Sequence, residues 1–264
     1  MDQMEIRGLD IAFERAGHGP LLVLLHGALS DGREWRRQLD GLSDEFTVVA
    51  WDAPGCGRSS DPPETFRAPD YADCLAGFVG GLGLGRPHVL GLSFGGVLAL
   101  ELYRWHPTVP VTLMLASTYA GWAGSLSPEV VEQRLRQALR ELELPPEQWV
   151  PGLMADVFTD SAPPELIDEA AAITSEFHPA GMRVMAHAFA AADLRDVLPR
   201  VDVPTLLLWG AADRRSPPRV AEELHAKIPT SRLVVMPGVG HASNMEAPEA
   251  FNAEVRSFLR SVQN

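Results

Sequence analysis

The chain has 264 residues, of which 46% are hydrophobic, so it is long enough to bury one sizeable core. Its net charge of -13 at pH 7 argues against binding to a nucleic-acid backbone or to an anionic membrane surface. We see no signal peptide in the acidic first residues, and no apolar run approaches the ~20 residues that span a bilayer. The two cysteines, Cys56 and Cys74, are too few for a disulfide framework and stand in no metal-ligand spacing. We therefore expect a soluble cytoplasmic protein with no nucleic-acid or membrane partner, no metal and no cofactor; its oligomeric state stays open.

The predicted elements begin with an antiparallel hairpin, in which Met4–Ile6 and Ile11–Glu14 flank a turn around Gly8. The strands that follow are short apolar runs without strict alternation, typical of a parallel sheet that is covered on both faces. These runs are Leu21–Leu25, Phe46–Ala50, His88–Gly91, Val111–Ala116, Thr205–Trp209 and Arg232–Met236. Predicted helices between them are Tyr71–Leu82, Phe94–Trp105, Pro217–Ile228 and Ala247–Leu259. This alternation predicts a doubly wound α/β sheet.

The stretch from residue 121 to residue 192 interrupts the alternation, because it contains no convincing strand and many prolines. Ser127-Pro128 is a good helix start, with a capping serine before a proline in the first turn. One apolar stripe at helical spacing follows, made of Val131, Leu135, Ala138 and Leu142. The stretch carries -7 of the total charge. We interpret residues 121–192 as a helical lid and residues 1–120 and 193–264 as the α/β core.

Ser93 is the strongest candidate for a catalytic residue, because it stands in Gly91-Leu92-Ser93-Phe94-Gly95 between a predicted strand and a predicted helix. A serine at such a turn is held on a strained elbow, with its hydroxyl away from its own backbone. The glycines allow a tight turn, and the N-terminus of the helix favours negative charge on a reacting oxygen. The pattern alone is weak, and its placement makes Ser93 a predicted nucleophile.

A serine nucleophile needs a base, and the base needs an acid that orients it. Asp213 lies in the loop after the predicted strand Thr205–Trp209, and His241 lies in the loop after the next strand along the chain. The carboxyl ends of parallel strands meet at one edge of a sheet, so these residues can converge with Ser93. Each would be an ordinary loop residue by itself, and it is the order Ser, Asp, His at three strand ends that predicts a triad.

An acyl-transfer site also needs hydrogen-bond donors for the oxyanion. Strand Leu21–Leu25 ends in His26-Gly27-Ala28, and the backbone N–H groups of Ala28 and Phe94 are the predicted donors. A histidine at a strand end more often braces its loop than acts as a second base, so His26 is interpreted as structural.

Five motifs resemble the α/β-hydrolase superfamily, in its lidded esterase, lactonase and C–C hydrolase branch, which includes 3-oxoadipate enol-lactonase-like proteins. They span the chain in the family's order: Leu24–Ala28, Asp52–Ser59, Gly91–Gly96, Trp209–Asp213 and Gly240-His241. The resemblance implies an eight-stranded, mostly parallel sheet with a lid inserted after the sixth strand. It also implies the roles predicted for Ser93, Asp213, His241, Ala28 and Phe94. The Asp52–Ser59 loop looks like a structural turn, anchored by Asp52, with Cys56 as a packed side chain.

The same resemblance excludes some reactions and substrates that other members of the superfamily use. Relatives that open epoxides or displace halides carry aspartate at the elbow, whereas this chain carries Ser93. The short His26–Ala28 loop, in place of a triple-glycine turn, makes bulky tertiary-alcohol esters poor candidates.

The expected substrate is a small to mid-sized neutral carboxylic ester, lactone or thioester in an apolar pocket. Twelve large apolar residues of the lid are candidates, of which we expect some to line the pocket and most to pack the lid on the core: Trp122, Leu126, Leu135, Leu139, Trp149, Leu153, Met154, Phe158, Phe177, Met182, Met185 and Phe189. The acidic lid disfavours polyanions, although Arg134, Arg136, Arg140 or Arg183 could supply one cation. Two alternatives stay open. One is C–C bond hydrolysis of a β-diketone-like substrate; the other is a low-turnover small-molecule receptor on the same scaffold.

Overall fold

A computed structural model describes residues 2–262 and contains one eight-stranded sheet. The strands are β1 (Asp2–Ile6), β2 (Leu9–Ala16), β3 (Leu21–Leu25), β4 (Thr47–Trp51), β5 (His88–Leu92), β6 (Thr112–Ala116), β7 (Thr205–Gly210) and β8 (Ser231–Met236). Their order across the sheet is β1-β2-β4-β3-β5-β6-β7-β8. Strand β2 is antiparallel to both neighbours, and all pairs from β4 to β8 are parallel. The predicted mostly parallel α/β sheet is confirmed.

The helices lie between and beyond the strands. They are α1 (Arg36–Leu42), α2 (Ala68–Leu82), α3 (Phe94–Trp105), α4 (Pro128–Glu141), α5 (Val150–Val157), α6 (Pro164–Ser175), α7 (Pro179–Ala191), α8 (Pro218–His225), α9 (Ser243–Glu246) and α10 (Pro248–Val262). Within residues 2–262, no helix is both long and apolar enough to cross a membrane.

The predicted hairpin is confirmed, and its turn shows why the chain reverses there. Arg7 and Gly8 both have positive φ, 54° and 81°. Two such residues form the tight turn whose twist matches that of the flanking strands. The hairpin adds the antiparallel edge to the sheet.

The two faces of the sheet are covered by different helices, as continuous apolar strands require. Alternate residues of the strands pack on one face with α2, α3 and α8, and the others pack on the opposite face with α1 and α10. Leu22 and Leu24, for example, share a buried cluster with Trp35 and Phe251. The sequence analysis missed α1, because its residues 36–42 are mostly polar and only Leu39 and Leu42 are fully buried apolar side chains.

Helices α4 to α7 all lie between β6 and β7, so the helical segment is inserted after the sixth strand as expected. Helices α5 and α6 bury their own small cluster, which includes Trp149 and Leu166 together with Met245 of α9. Helix α7 packs on the core through Gly181, whose Cα faces Gly55. The exact division at residues 120/121 and 192/193 stays a prediction.

The apolar stripe predicted in α4 is divided between two surfaces. Val131 and Leu135 pack against the main cluster, Ala138 lines the cavity described below, and Leu142 belongs to the cluster and also lines the cavity. The helix begins as predicted, with the Ser127 hydroxyl accepting a hydrogen bond from the N–H of Val130.

Candidate active site

Ser93 occupies the single residue between the end of β5 and the start of α3. Its φ of 53° and ψ of -114° lie in a region that non-glycine residues rarely adopt. The strained backbone is held on both sides: the N–H of Ser93 donates to Ala116 O at 2.9 Å, and the hydroxyl of Thr118 donates to Ser93 O at 2.5 Å. Such strain persists only where surrounding contacts over-determine it, and it clusters at functional sites.

The glycines after Ser93 allow the close packing at this turn. A Cβ atom on Gly95 would overlap the backbone of Leu25, and one on Gly96 would lie 2.6 Å from the side chain of Thr118. Any larger residue would push α3 away from the sheet. Steric contacts therefore account for the glycines of the motif, independently of its chemistry.

Asp213 and His241 are brought together by the loops that follow β7 and β8. The Nδ1 atom of His241 lies 3.0 Å from Oδ1 and 2.9 Å from Oδ2 of Asp213. Only 8% of the His241 side chain and none of the Asp213 carboxyl is exposed. Asp213 also accepts the N–H groups of Arg215 and Ser216, at 2.9 and 2.8 Å. A carboxylate that only accepts makes Nδ1 the donor, so Nε2 of the neutral imidazole is left as an acceptor.

The loop of His241 is also fixed by the inserted helices. The N–H of His241 donates to Val157 O, the last residue of α5, at 2.8 Å. Glu246 accepts the N–H of Gly240 at 2.9 Å and the N–H of Thr159 at 3.3 Å. The position of the histidine therefore depends on the helical insertion as well as on the sheet.

The loop after β3 lies directly beside Ser93. An ideal Cβ atom on Gly27 would be 3.7 Å from the Cβ of Ser93, and Ala28 lines the same cavity as Ser93. The following residue, Leu29, has a positive φ of 61°, a second strained position in this region. Phe94 is the first residue of α3, where backbone N–H groups have no acceptor within the helix. Both predicted oxyanion donors thus belong to segments that border Ser93.

His26 and Asp52 have the bracing roles predicted for them. Ring atom Nε2 of His26 accepts the N–H of Ala53 at 2.9 Å, while Nδ1 contacts Gly27 O at 2.8 Å. The carboxylate of Asp52 accepts the N–H groups of Gly32 and Arg58 at 2.8 and 2.9 Å. Cys56 is fully packed, and burial raises the pKa of its thiol well above the usual value, which makes it a poor nucleophile.

A cavity of about 600 Å³ lies beside the candidate catalytic residues. Ser93 and His241 line it, together with residues of the helical insertion. More of the twelve apolar candidates line this cavity than the sequence predicted, eight in all: Trp122, Trp149, Leu153, Met154, Phe158, Met182, Met185 and Phe189. Leu126, Leu135, Leu139 and Phe177 instead pack against the buried clusters.

The cavity wall also carries charge. Of the four arginines considered in the insertion, Arg134 lines the cavity, with its guanidinium 5.6 Å from the ring centre of Tyr119 and 5.8 Å from that of Trp122. Arg215, next to the Asp213 loop, lines the same wall, and its nearest carboxylate is Asp156 at 4.0 Å. Desolvation and the nearby Arg134 lower the pKa of Arg215. The sequence analysis missed Arg215, which no pattern sets apart from the other arginines.

A second residue that the sequence analysis missed is Glu34, in the single-turn helix Gly32–Trp35. Its carboxyl group lines the cavity and accepts the N–H of Gly27 at 3.1 Å. Burial raises the pKa of Glu34 to about 8. In sequence it stands in the polar run Asp31–Glu34, which resembles an exposed turn, so only the fold shows that it is buried.

The family model described as alpha/beta hydrolase family matches residues 22–254 of the chain. The chain belongs to the α/β-hydrolase family. A solved esterase from Thermogutta terrifontis is 32% identical, with a TM-score of 0.93 over the full length of both chains. The enol-lactonase from Burkholderia xenovorans is 25% identical, with a TM-score of 0.89 over 98% of this chain and all of that one. A protein from Cronobacter turicensis, provisionally named carbamate hydrolase RutD, is 30% identical over 95% of this chain and 93% of its own.

These comparisons support the expected hydrolase class. The relatives are named as an esterase, an enol-lactonase and a carbamate hydrolase, so this α/β hydrolase is a hydrolytic enzyme.

Proposed function

We propose that this α/β hydrolase cleaves small to mid-sized carboxylic esters or lactones through Ser93, His241 and Asp213, with an acyl-enzyme intermediate. One observation carries the proposal: a strained serine and a histidine bonded to a buried carboxylate line the same cavity. The cavity volume falls within the range of small-molecule sites, and its large apolar side chains favour an uncharged acyl chain.

In the first step, Nε2 of His241 accepts the proton of the Ser93 hydroxyl while the serine oxygen attacks the carbonyl carbon. Asp213 keeps the imidazole in the required tautomer and stabilises the imidazolium. The N–H groups of Ala28 and Phe94 hold the developing oxyanion. His241 then protonates the leaving alcohol as its bond to the acyl carbon breaks.

In the second step, water replaces the alcohol. His241 takes one proton from the water, the resulting hydroxide attacks the acyl-enzyme, and the carboxylic acid leaves as Ser93 regains its proton. The overall change is the addition of water across one ester bond.

The test is a series of initial rates on p-nitrophenyl esters from acetate to laurate, with Ser93→Ala measured beside the wild type. We expect a rate maximum at one acyl length and no turnover above background in a folded Ser93→Ala protein. Full activity in that variant would refute the role of Ser93. A folded wild type that cleaves no ester or lactone would refute ester hydrolysis and favour C–C bond hydrolysis or ligand binding without turnover.

A further inference from the structure

Glu34 is a buried carboxyl group inside the cavity that the mechanism above does not use. Its residue is 5% exposed. Oε1 accepts the N–H of Gly27 at 3.1 Å, and the hydroxyl of Ser30 also hydrogen-bonds to the carboxyl group. Oε2 lies 3.9 Å from the ideal Cβ position of Gly27, which is itself 3.7 Å from the Cβ of Ser93. The Glu34 carboxyl and the side chain of Ser93 therefore both lie close to Gly27.

Within residues 2–262, no cation lies at ion-pair distance from the Glu34 carboxyl group. Arg33, on the same turn, pairs with Asp31 and Glu176 at 2.8 Å each, and Arg37 of α1 pairs with Glu169 of α6 at 2.8 Å. No ion pair within residues 2–262 involves Glu34. The other titratable or charged groups on the elements around it and across the cavity are His26, Arg36, Asp40, Asp52, Arg134, Glu141, Asp156, Glu165, Asp168, Arg214, Arg215, His241 and Glu246.

Two physical effects oppose ionisation of this carboxyl group. Burial removes the water that would solvate the anion, and the nearby Asp31 adds a like charge. Together they raise the pKa of Glu34 to about 8, although Ser30 and Gly27 donate hydrogen bonds to it. An anion at this position would also oppose the negative charge that ester cleavage develops beside Ser93.

We infer that Glu34 is a positioning residue for the His26–Ala28 loop and that only its neutral, protonated form supports turnover. The inference rests on the proposed ester hydrolysis. The hydrogen bond from the Gly27 N–H to Glu34 fixes the His26–Gly27 peptide, and through it the direction of the adjoining peptide that carries the Ala28 N–H. In its neutral form the group holds the loop without placing a charge beside the reaction; once ionised, it holds the loop but repels the oxyanion.

The main test is the pH dependence of kcat on the best p-nitrophenyl ester between pH 6 and pH 9, with Ser93→Ala as the background. The wild type should lose about tenfold in kcat one unit above the pKa of Glu34. Glu34→Gln retains an oxygen acceptor for Gly27 and cannot ionise, so its kcat should stay level over the same range. The same alkaline loss in Glu34→Gln would overturn the inference.

A second variant separates positioning from charge. Glu34→Ala removes the acceptor of the Gly27 N–H. We expect its kcat at pH 7 to be at least tenfold below that of the wild type, with little change in KM. The kcat of Glu34→Gln should be close to that of the wild type, because glutamine keeps an acceptor. Equal kcat values for Glu34→Ala and wild type would overturn the positioning role. Glu101→Gln is the matched control, because Glu101 is also buried with a raised pKa but lies in α3, outside the cavity. It should retain the alkaline loss of the wild type.

A third measurement needs no substrate, so it distinguishes failure of this inference from failure of the proposed function. The folded chain holds the Glu34 proton to a higher pH than the unfolded chain, whose pKa is near the ordinary 4.5. The stabilisation by this proton is complete below pH 4.5, declines above it and is gone above about pH 8. The Tm of Glu34→Gln minus that of the wild type should therefore increase from pH 5 to pH 9. A Tm difference that stays constant with pH would refute the claim that Glu34 is protonated in the folded chain, whether or not the enzyme cleaves esters.

Discussion

The contact between Gly181 of α7 and Gly55 of the core allows a quantitative test of how the insertion packs on the sheet. A Cβ atom on Gly181 would lie 2.5 Å from the carbonyl oxygen of Gly55, whereas real Cβ atoms essentially never come within 3.0 Å of a neighbour. The atoms that such a Cβ would meet, the Cα and the carbonyl group of Gly55, all belong to the backbone. Gly181→Ala must therefore move α7 or the Gly55 loop by at least about 0.5 Å.

Two opposing contributions determine the free energy of unfolding of Gly181→Ala. Alanine in a helix gains roughly 1 kcal/mol over glycine, while overpacking a close contact costs about 1–3 kcal/mol. Because the clash is with backbone, we expect the upper part of that cost and a net loss of about 1–2 kcal/mol. For a chain of this size, that loss lowers Tm by roughly 2–8 °C.

Gly152→Ala is the matched control, since Gly152 lies in α5 of the same insertion and a Cβ there would meet nothing within 4 Å. It should gain up to about 1 kcal/mol. Urea denaturation of both variants and the wild type measures whether each substitution raises or lowers the free energy of unfolding. A Gly181→Ala protein as stable as Gly152→Ala would refute the close packing of α7 on the core.

The position of α7 should also affect specificity, because Met182, Met185 and Phe189 of this helix line the cavity. Outward movement of α7 widens the apolar end of the cavity. The best acyl chain of Gly181→Ala should then be longer than that of the wild type, in the p-nitrophenyl series. An unchanged chain-length profile in a destabilised variant would show that the helix does not border the acyl site.

Two further predictions concern polar groups of the cavity. Asp213→Asn should lower kcat by about four orders of magnitude with Tm nearly retained, because the amide favours the wrong tautomer of His241; a loss below tenfold, measured with the p-nitrophenyl series, would contradict the proposed triad. Arg215→Gln should raise KM for an ester that carries a terminal carboxylate by roughly tenfold or more, the value of one charged hydrogen bond, and should raise it less for the neutral ester of equal length. Arg136→Gln is the control for net charge, because Arg136 is exposed on α4 and pairs with Glu132. If the ratio of KM for the charged ester to KM for the neutral ester is the same in both variants, Arg215 does not bind the substrate carboxylate.

Much of the fold follows from local patterns. The strand Leu21–Leu25 and the helix Phe94–Trp105 have the bounds expected from sequence, because buried parallel strands need continuous apolar runs and glycine-flanked turns punctuate them. Helix α1 could not be recognised in this way. Most of its residues are polar, and it is held by α10, which comes more than 200 residues later in the chain.

The sequence was sufficient to predict the fold class, the elbow at Ser93 and the order of the three triad candidates, because each strand, helix and candidate is recognised from its immediate neighbours in the chain. Only the tertiary structure brought Asp213 within hydrogen-bond distance of His241 and separated the residues of the insertion that line the cavity from those that pack. It also showed that Glu34 is buried, whereas its local sequence indicates an exposed turn. Burial and cavity lining depend on segments distant in the chain, so no local pattern could report them.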